Sequence, residues 1–465
     1  MGDEACDIED LCFDAIDGEW TGVLVEIVAA AYAFVGIAAV ADEHLTSSLE
    51  TLCHRWRIPE DVAGASFLAL GSAAPEIIVA AVSTVKSILA SQDGKAGAAS
   101  FAQSLGISSV LGSGMLAFTL IPALCAMVVP RPMRLKRRPL ARDAVAYGVS
   151  LIFIHVVVSK SQVSLYDATA MLTLYLVYLL GLSFAPMIRE SYRVRVSGLP
   201  PRFSRGWSEA SSVSREASSG RETSESDHSS NPMERGGAQA SREAEEALTQ
   251  GAKDDDDDEE EEEAGPVMTV LAWPFRPMLW LLRATCPECA VGGEGERRYP
   301  ITLLVSFWWL AVFSTVLSAA VTRWGTLLHV PATAMGTYVI AVGAQIPDTI
   351  QAVAVARRGH GSMAVASAVG SQVINILIGL GMPWCISTSA NLPVEIAPES
   401  CNELLTLVWV MCGCLLTYLL VLLLPSLPSW GSFGYATLGR REGWLLFAAY
   451  LAAVAAHVYS TLFLL

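Results

Sequence analysis

Charged side chains are scarce in this chain. They make up 16% of its 465 residues, against roughly 25% in soluble domains, and long stretches hold almost none. That scarcity excludes an ordinary water-soluble fold. The ten cysteines are too thinly spread for a disulfide scaffold. The lone Cys286-Pro-Glu-Cys289 lacks the second ligand pair of a structural zinc site. His155, His329 and His360 lie far apart and give no metal cluster. The first residues are acidic and lack the basic n-region of a secretory signal, so the first apolar stretch reads as a retained span. Basic excess is absent as well: the formal net charge is −16. No nucleic-acid partner is expected.

What the chain has instead is apolar runs. Hydrophobic residues reach 53% and mean hydropathy is +0.45. Spans of about 20 apolar residues, enough to cross a bilayer, fall near 21–40, 62–90, 99–129, 142–159, 165–187, 301–321, 331–356, 362–385, 404–425 and 443–464. The expected fold is therefore all-α and polytopic. An acidic extracytosolic N-terminus (1–20) precedes a first five-helix repeat (21–188), a cytosolic, largely disordered acidic insert (189–299) and a second five-helix repeat (300–465). Within the insert, 189–205 is basic and suited to anionic lipid headgroups. Residues 206–250 have the composition of a disordered segment. Asp254 to Asp258 and Glu259 to Glu263 form one self-repelling acidic run. The segment Trp273 to Leu282 is short and amphipathic, able to lie on a membrane surface.

Basic residues set the orientation. With the N-terminus outside, the inside loops hold 26 of the 30 lysines and arginines, and the remainder are Lys86, Lys95, Lys160 and Arg323. Five spans per half is an odd number, so the two halves enter the membrane from opposite sides and form an inverted repeat.

Two stretches carry nearly the same unusual sentence inside apolar segments: Leu70-Gly-Ser-Ala-Ala-Pro-Glu76 and Val342-Gly-Ala-Gln-Ile-Pro-Asp348. A carboxylate near the bilayer centre costs several kcal/mol, about 3 on insertion scales, unless something binds it. Small residues and a proline at matching places in two halves mark helices interrupted near the midplane, where transporters hold their substrate. The following span of each half adds Gly112-Ser113 and Gly370-Ser371, the latter with Asn375 one turn on. A lone Gly-Ser is usually a packing contact, and Asp42-Glu43 reads as a helix-end pair facing water. Two acids in repeated, inverted contexts read as a cation site. Two carboxylates match one divalent ion or two monovalent ones, and hydroxyl, amide and carbonyl oxygens supply the remaining ligands. An intramembrane aspartyl hydrolase needs two acids sharing a proton, which Glu and Asp beside prolines match poorly. No enzyme activity and no cofactor are expected.

With these residues in view, the chain resembles the cation/calcium exchanger superfamily, most closely its potassium-dependent sodium/calcium branch. The resemblance is carried by Ala41-Asp-Glu-His-Leu-Thr-Ser-Ser-Leu-Glu50, Glu60 to Ala65, Leu70 to Glu76 and Val342 to Leu380. It implies alternating access, with spans one and six sliding against a core. It implies Glu76 and Asp348 as the principal calcium-binding acids, with Ser72, Ser113 and Ser371 as hydroxyls lining the ion sites. Asn375 stands where the potassium-dependent branch has an aspartate, which argues against potassium coupling. Ala73, Ala117 and Ala344-Gln345 replace polar residues common in the family, so two counter-ions stay open: weakly bound sodium, or protons. The expected function is a secondary antiporter of calcium against sodium, with a divalent cation/proton exchanger on the same fold as the alternative. Its partners are calcium and sodium ions and membrane lipids. The plasma membrane is the favoured location, an internal membrane the alternative.

Overall fold

The structure is a computed structural model that describes residues 20–56, 69–197, 273–287, 289, 296–357, 359, 361–392, 394–423 and 435–463. Two compact units are distinguished. Of the Pro201–Pro277 unit only residues 273–277 are described: a single 3-10 turn, Trp273–Phe275, and the first residues of the helix that follows it. Among the described residues of the other unit, Met1–Pro200 with Met278–Leu465, ten helices are long and apolar enough to cross a membrane. The parts of the insert expected to be disordered and acidic, and the acidic N-terminus as far as residue 19, lie outside the described residues.

The first span is α1 (Trp20–Ala39), which passes through a π turn at Val40–Leu45 into α2 (Thr46–Arg55) without a break. The second is α3 (Ala69–Gln92). The third is α4 (Ala96–Met115), a second π turn at Leu116–Leu120, and α5 (Ile121–Val128). Spans four and five are α6 (Arg137–Ser159) and α7 (Leu165–Ser197). The short α8 (Arg276–Thr285) precedes α9 (Tyr299–Leu327), span six. Span seven opens with the turn Ala332–Ala334, takes a third π turn at Met335–Ile340 and continues as α10 (Ala341–Arg357). Span eight is α11 (Gly361–Leu377) and α12 (Gly381–Ser389), separated by a turn. Spans nine and ten are α13 (Pro398–Leu423) and α14 (Arg440–Phe463).

Composition explains which spans lie inside. Span three, rich in Gly, Ala and Ser, has 83% of its 18-residue apolar stretch buried, and span eight 72%. Spans one, five, seven and ten keep 22–28%. Lipid is as apolar as leucine, so helices associate through close backbone packing of small residues. The seam between spans three and seven is of this kind. A Cβ on Gly336 would meet the Leu105 carbonyl at 2.6 Å, and one on Gly112 would meet Thr337 Cα at 2.8 Å. Larger side chains fill the core beyond: Phe118 lies between Tyr147, with ring centroids 4.5 Å apart, and Tyr418, at 5.3 Å.

Two short ribbons tie the connecting loops together. β1 (Met133–Lys136) pairs antiparallel with β4 (Tyr435–Leu438), and β2 (Gln162–Val163) with β3 (Val394–Glu395). Shifting each loop by five spans turns one pairing into the other, which is the relation two repeated halves require.

Differences from the sequence reading are local. The first span runs on to Arg55, because the π turn absorbs Asp42 and Glu43 into the helix instead of ending it. The helix of span five continues to Ser197, past the expected boundary at 188. The helices are not broken at the two prolines as expected: Pro75 and Pro347 sit within continuous helices, and each removes only one backbone donor. α8 is amphipathic as its pattern suggests: Met278 and Leu282 are buried while Trp280 is exposed.

Candidate ion-binding site

Glu76 sits one residue after Pro75 on α3 and is 2% exposed. Proline has no N–H, so the Gly71 carbonyl four residues earlier loses its helical donor. Pro347 frees the Gly343 carbonyl in the same way. Gln345 of α10 donates from Nε2 to Glu76 Oε1 at 2.6 Å, joining the two motifs directly. Among the described residues the second carboxylate oxygen, Oε2, has no hydrogen-bond partner, and neither does Oε1 of Gln345. A buried polar atom without a partner costs roughly 1–3 kcal/mol, more when charged, so these oxygens mark a place built for something else to fill.

Asp348 lies three residues beyond Gln345 on the same helix, and its carboxylate and that of Glu76 repel one another electrostatically. Asp348 is half-buried rather than sealed. It lines a small recess walled by three spans, with Phe34 and Asp42 from the first, Ser72 and Pro75 from the second, and Gly343 from the seventh. No hydrogen bond or ion pair among the described residues reaches its carboxylate. Asp42, on the π turn of span one, is exposed at the recess and acts on Asp348 through its charge. It is therefore part of the site wall and not a helix-end residue facing bulk water. π turns are frequent at functional sites because the extra residue re-aims a side chain.

The remaining candidate residues divide into two groups. Ser72 is in the recess with Asp348, and its hydroxyl donates back to Ala69 O at 3.2 Å. Ser113, Ser371 and Asn375 form a separate buried network centred on Gln372, which is 0% exposed. Ser113 Oγ donates to Gln372 Oε1 at 3.0 Å, and Asn375 Nδ2 donates to the same oxygen at 3.3 Å. Gln372 Nε2 donates to Ser371 Oγ at 3.4 Å. Asn375 Oδ1 is left without a partner among the described residues. Ile374 packs against Ala73 and Ile77, which holds Asn375 beside the helix that carries Glu76. Sequence reasoning did not pick out Gln345, Gln372 or Asp42 as site residues. The available signal was glutamine within an apolar span, where an amide must find partners.

Cys286 and Cys289 are buried and unbridged. Cys289 Sγ donates to Thr51 Oγ1 at 3.3 Å, and burial pushes the Cys286 thiol up. Among the described residues no group of three metal-ligating side chains occurs.

The family model described as "Sodium/calcium exchanger protein" matches residues 26–184 and 298–459, one segment per five-span half. Sodium/potassium/calcium exchanger 5 of Homo sapiens is 30% identical over 386 residues, covering 81% of this chain and 73% of that protein. The Drosophila melanogaster protein named "Probable sodium/potassium/calcium exchanger CG1090" is 24% identical over 461 residues, covering 80% and 70%. Among solved structures, an H+/Ca2+ exchanger, CAX, superposes with a TM-score of 0.51 at 11% identity, covering 94% of this chain and 86% of that one, a likeness of fold. With its ten spans and its two proline-acid motifs joined across the bundle, the chain belongs to the sodium/calcium exchanger family.

Proposed function

We propose that the protein is a multi-pass membrane antiporter that moves calcium in one direction against sodium in the other, by alternating access to a single site at Glu76 and Asp348. The observation that carries this reading is the pair of carboxylates, one from each half. One is sealed with an oxygen unpartnered, the other stands in a recess, and neither has a basic partner among the described residues. Two negative charges in a low-dielectric bundle call for a counter-charge. One divalent or two monovalent cations supply it, so the two kinds of ion compete for the same oxygens. The inverted relation of the halves is supported by the exchange of ribbon pairings and by the matching prolines.

Ser72 and Asp348 supply ligand oxygens in the recess, and the carbonyl freed by Pro347 belongs to a recess residue, Gly343. Ser113, Ser371 and Asn375 extend the polar surface away from it. With loop charges setting orientation, Asp42, Ser72 and Asp348 fall in the cytosolic parts of their spans. The reaction makes and breaks no covalent bond, so the protein is a carrier and not an enzyme. The plasma membrane is the expected location, since the gradient that sodium supplies is steepest there.

A second reading, calcium or another divalent against protons, is favoured by one specific observation. The amide of Gln345 occupies Glu76 Oε1, and Ala73, Ala117 and Ala344 offer no hydroxyl, so sodium ligands are few. Flux measurement in liposomes reconstituted with the full chain decides between them. Calcium uptake driven by an outward sodium gradient supports the first reading. Calcium-dependent proton movement indifferent to sodium supports the second. Uptake at normal rates in both Glu76→Gln and Asp348→Asn refutes the site.

A further inference from the structure

We propose that Gln345 limits how many monovalent ions the site accepts: its side-chain N–H holds the Glu76 oxygen that a second monovalent cation would need. The inference rests on the reading of Glu76 and Asp348 as a cation site and adds a determinant of ion valence to it.

The geometry is specific. Gln345 is 1% exposed, and its Nε2 lies 2.6 Å from Glu76 Oε1. An ionised carboxylate only accepts hydrogen bonds and an amide nitrogen only donates them, so the orientation of the amide is fixed by its partner. The bond is charge-assisted, hence stronger than a neutral one. The nitrogen thus stands on Glu76 as a small cation would, without leaving the protein. What remains free is Glu76 Oε2, buried and unpartnered, and the Asp348 carboxylate three residues beyond Gln345 on α10.

Ion valence decides what those remaining oxygens can hold. A divalent ion bridging Glu76 Oε2 and Asp348 neutralises both charges from one position and leaves the Gln345 bond in place. Two monovalent ions repel each other and need separate oxygen sets, and the Gln345 N–H already fills one of the two lone-pair directions of Oε1. A second ion seated on Oε1 stands beside the positive end of that N–H unless Gln345 lets go, a penalty the divalent ion does not meet. The site therefore discriminates by the number of ions it must hold. A single sodium ion or proton in the open position leaves one of the two carboxylate charges uncompensated, so with Gln345 in place a divalent occupant is favoured.

The test is equilibrium binding of radioactive calcium to the purified full chain, displaced by sodium chloride at constant ionic strength. Wild type, Glu76→Gln, Gln345→Met and Gln345→Ala are compared. Methionine keeps the length of the side chain and removes both amide atoms, while alanine removes the bulk, so the two variants load the fold differently. In both, the Hill coefficient of sodium displacement is expected to rise by about one. The half-displacing sodium concentration should fall about tenfold more than the calcium dissociation constant shifts, a difference of ~1.4 kcal/mol. An unchanged Hill coefficient, or sodium and calcium shifting by one common factor, overturns the inference. So does loss of calcium binding in both variants, which would make the amide a support of the site and not a limit on it. Glu76→Gln reads the site itself. Calcium binding lost there with an unchanged Hill coefficient in the Gln345 variants defeats only the valence inference. Binding retained there defeats the site reading and the inference together.

Discussion

The two halves of this protein carry the same proline-acid sentence in opposite surroundings. Glu76 is sealed in the bundle and anchored by the amide of Gln345. Asp348 faces a recess and accepts no hydrogen bond from the described residues. A repeat built from one pattern has thus been divided into a fixed post and an open one. The asymmetry has a physical origin. Gln345 lies one turn before Asp348, whereas the matching position one turn before Glu76 is Ala73, too short to reach across. Only one half can lend an amide to the other.

The largest expected effect tests whether both posts are needed. Neutralising either acid, by Glu76→Gln or Asp348→Asn, should reduce gradient-driven calcium uptake about a hundredfold or more, which corresponds to ~2.7 kcal/mol or more of lost ion binding. The contrast between the posts is sharpened by changing length instead of charge. Glu76→Asp withdraws a sealed carboxylate from Gln345, and Asp348→Glu extends one into open space. The first should raise the half-saturating calcium concentration about tenfold more than the second. Equal effects would show that the two surroundings are interchangeable.

Next in size is the glycine that opens each motif. A Cβ on Gly343 would run into the ring of Phe34, so that ring, or the span that carries it, must move aside. A Cβ on Gly71 meets chiefly the flexible end of Leu49 at 2.9 Å. Overpacking costs typically about 1–3 kcal/mol, while alanine in place of glycine in a helix recovers up to ~1 kcal/mol. Gly343→Ala should therefore lower thermal stability in detergent and slow transport, and Gly71→Ala should leave stability nearly unchanged. The reverse ranking would place the tighter crossing in the other half.

How much of this was legible without coordinates follows from what each residue announces. Glu76 and Asp348 stand out because a charge amid apolar residues is costly unless an ion or a partner offsets it, and their proline and small-residue contexts repeat. Ten spans follow from hydropathy alone. The Glu76–Gln345 bond was hidden because it links positions 269 apart, and an amide, unlike an acid, carries no net charge to flag it. Gln372 was masked by its neighbour Ser371, although the network closes on Gln372. Asp42 was misplaced for a different reason. The charge pair Asp42-Glu43 has the look of a helix end, but the π turn carries the helix onward with both residues in it. Hydropathy gives no sign of a one-residue insertion in helical register.

Asp42 also supplies the smallest and most diagnostic expectation. It is exposed at the recess and acts on Asp348 by charge, without a contact that an ion would have to replace. A charge in that place raises the local concentration of cations and speeds their arrival, and it does so less as salt screens it. Asp42→Asn should slow calcium uptake about threefold at low ionic strength, with the difference shrinking as inert salt is added. A ligand behaves otherwise: its loss weakens calcium binding by a factor that persists at high salt. Uptake measured in choline chloride over a series of concentrations separates the two. If the defect holds constant across the series, Asp42 belongs with Glu76 and Asp348 as a third post, and the contrast drawn between two halves becomes a contrast among three positions along one path.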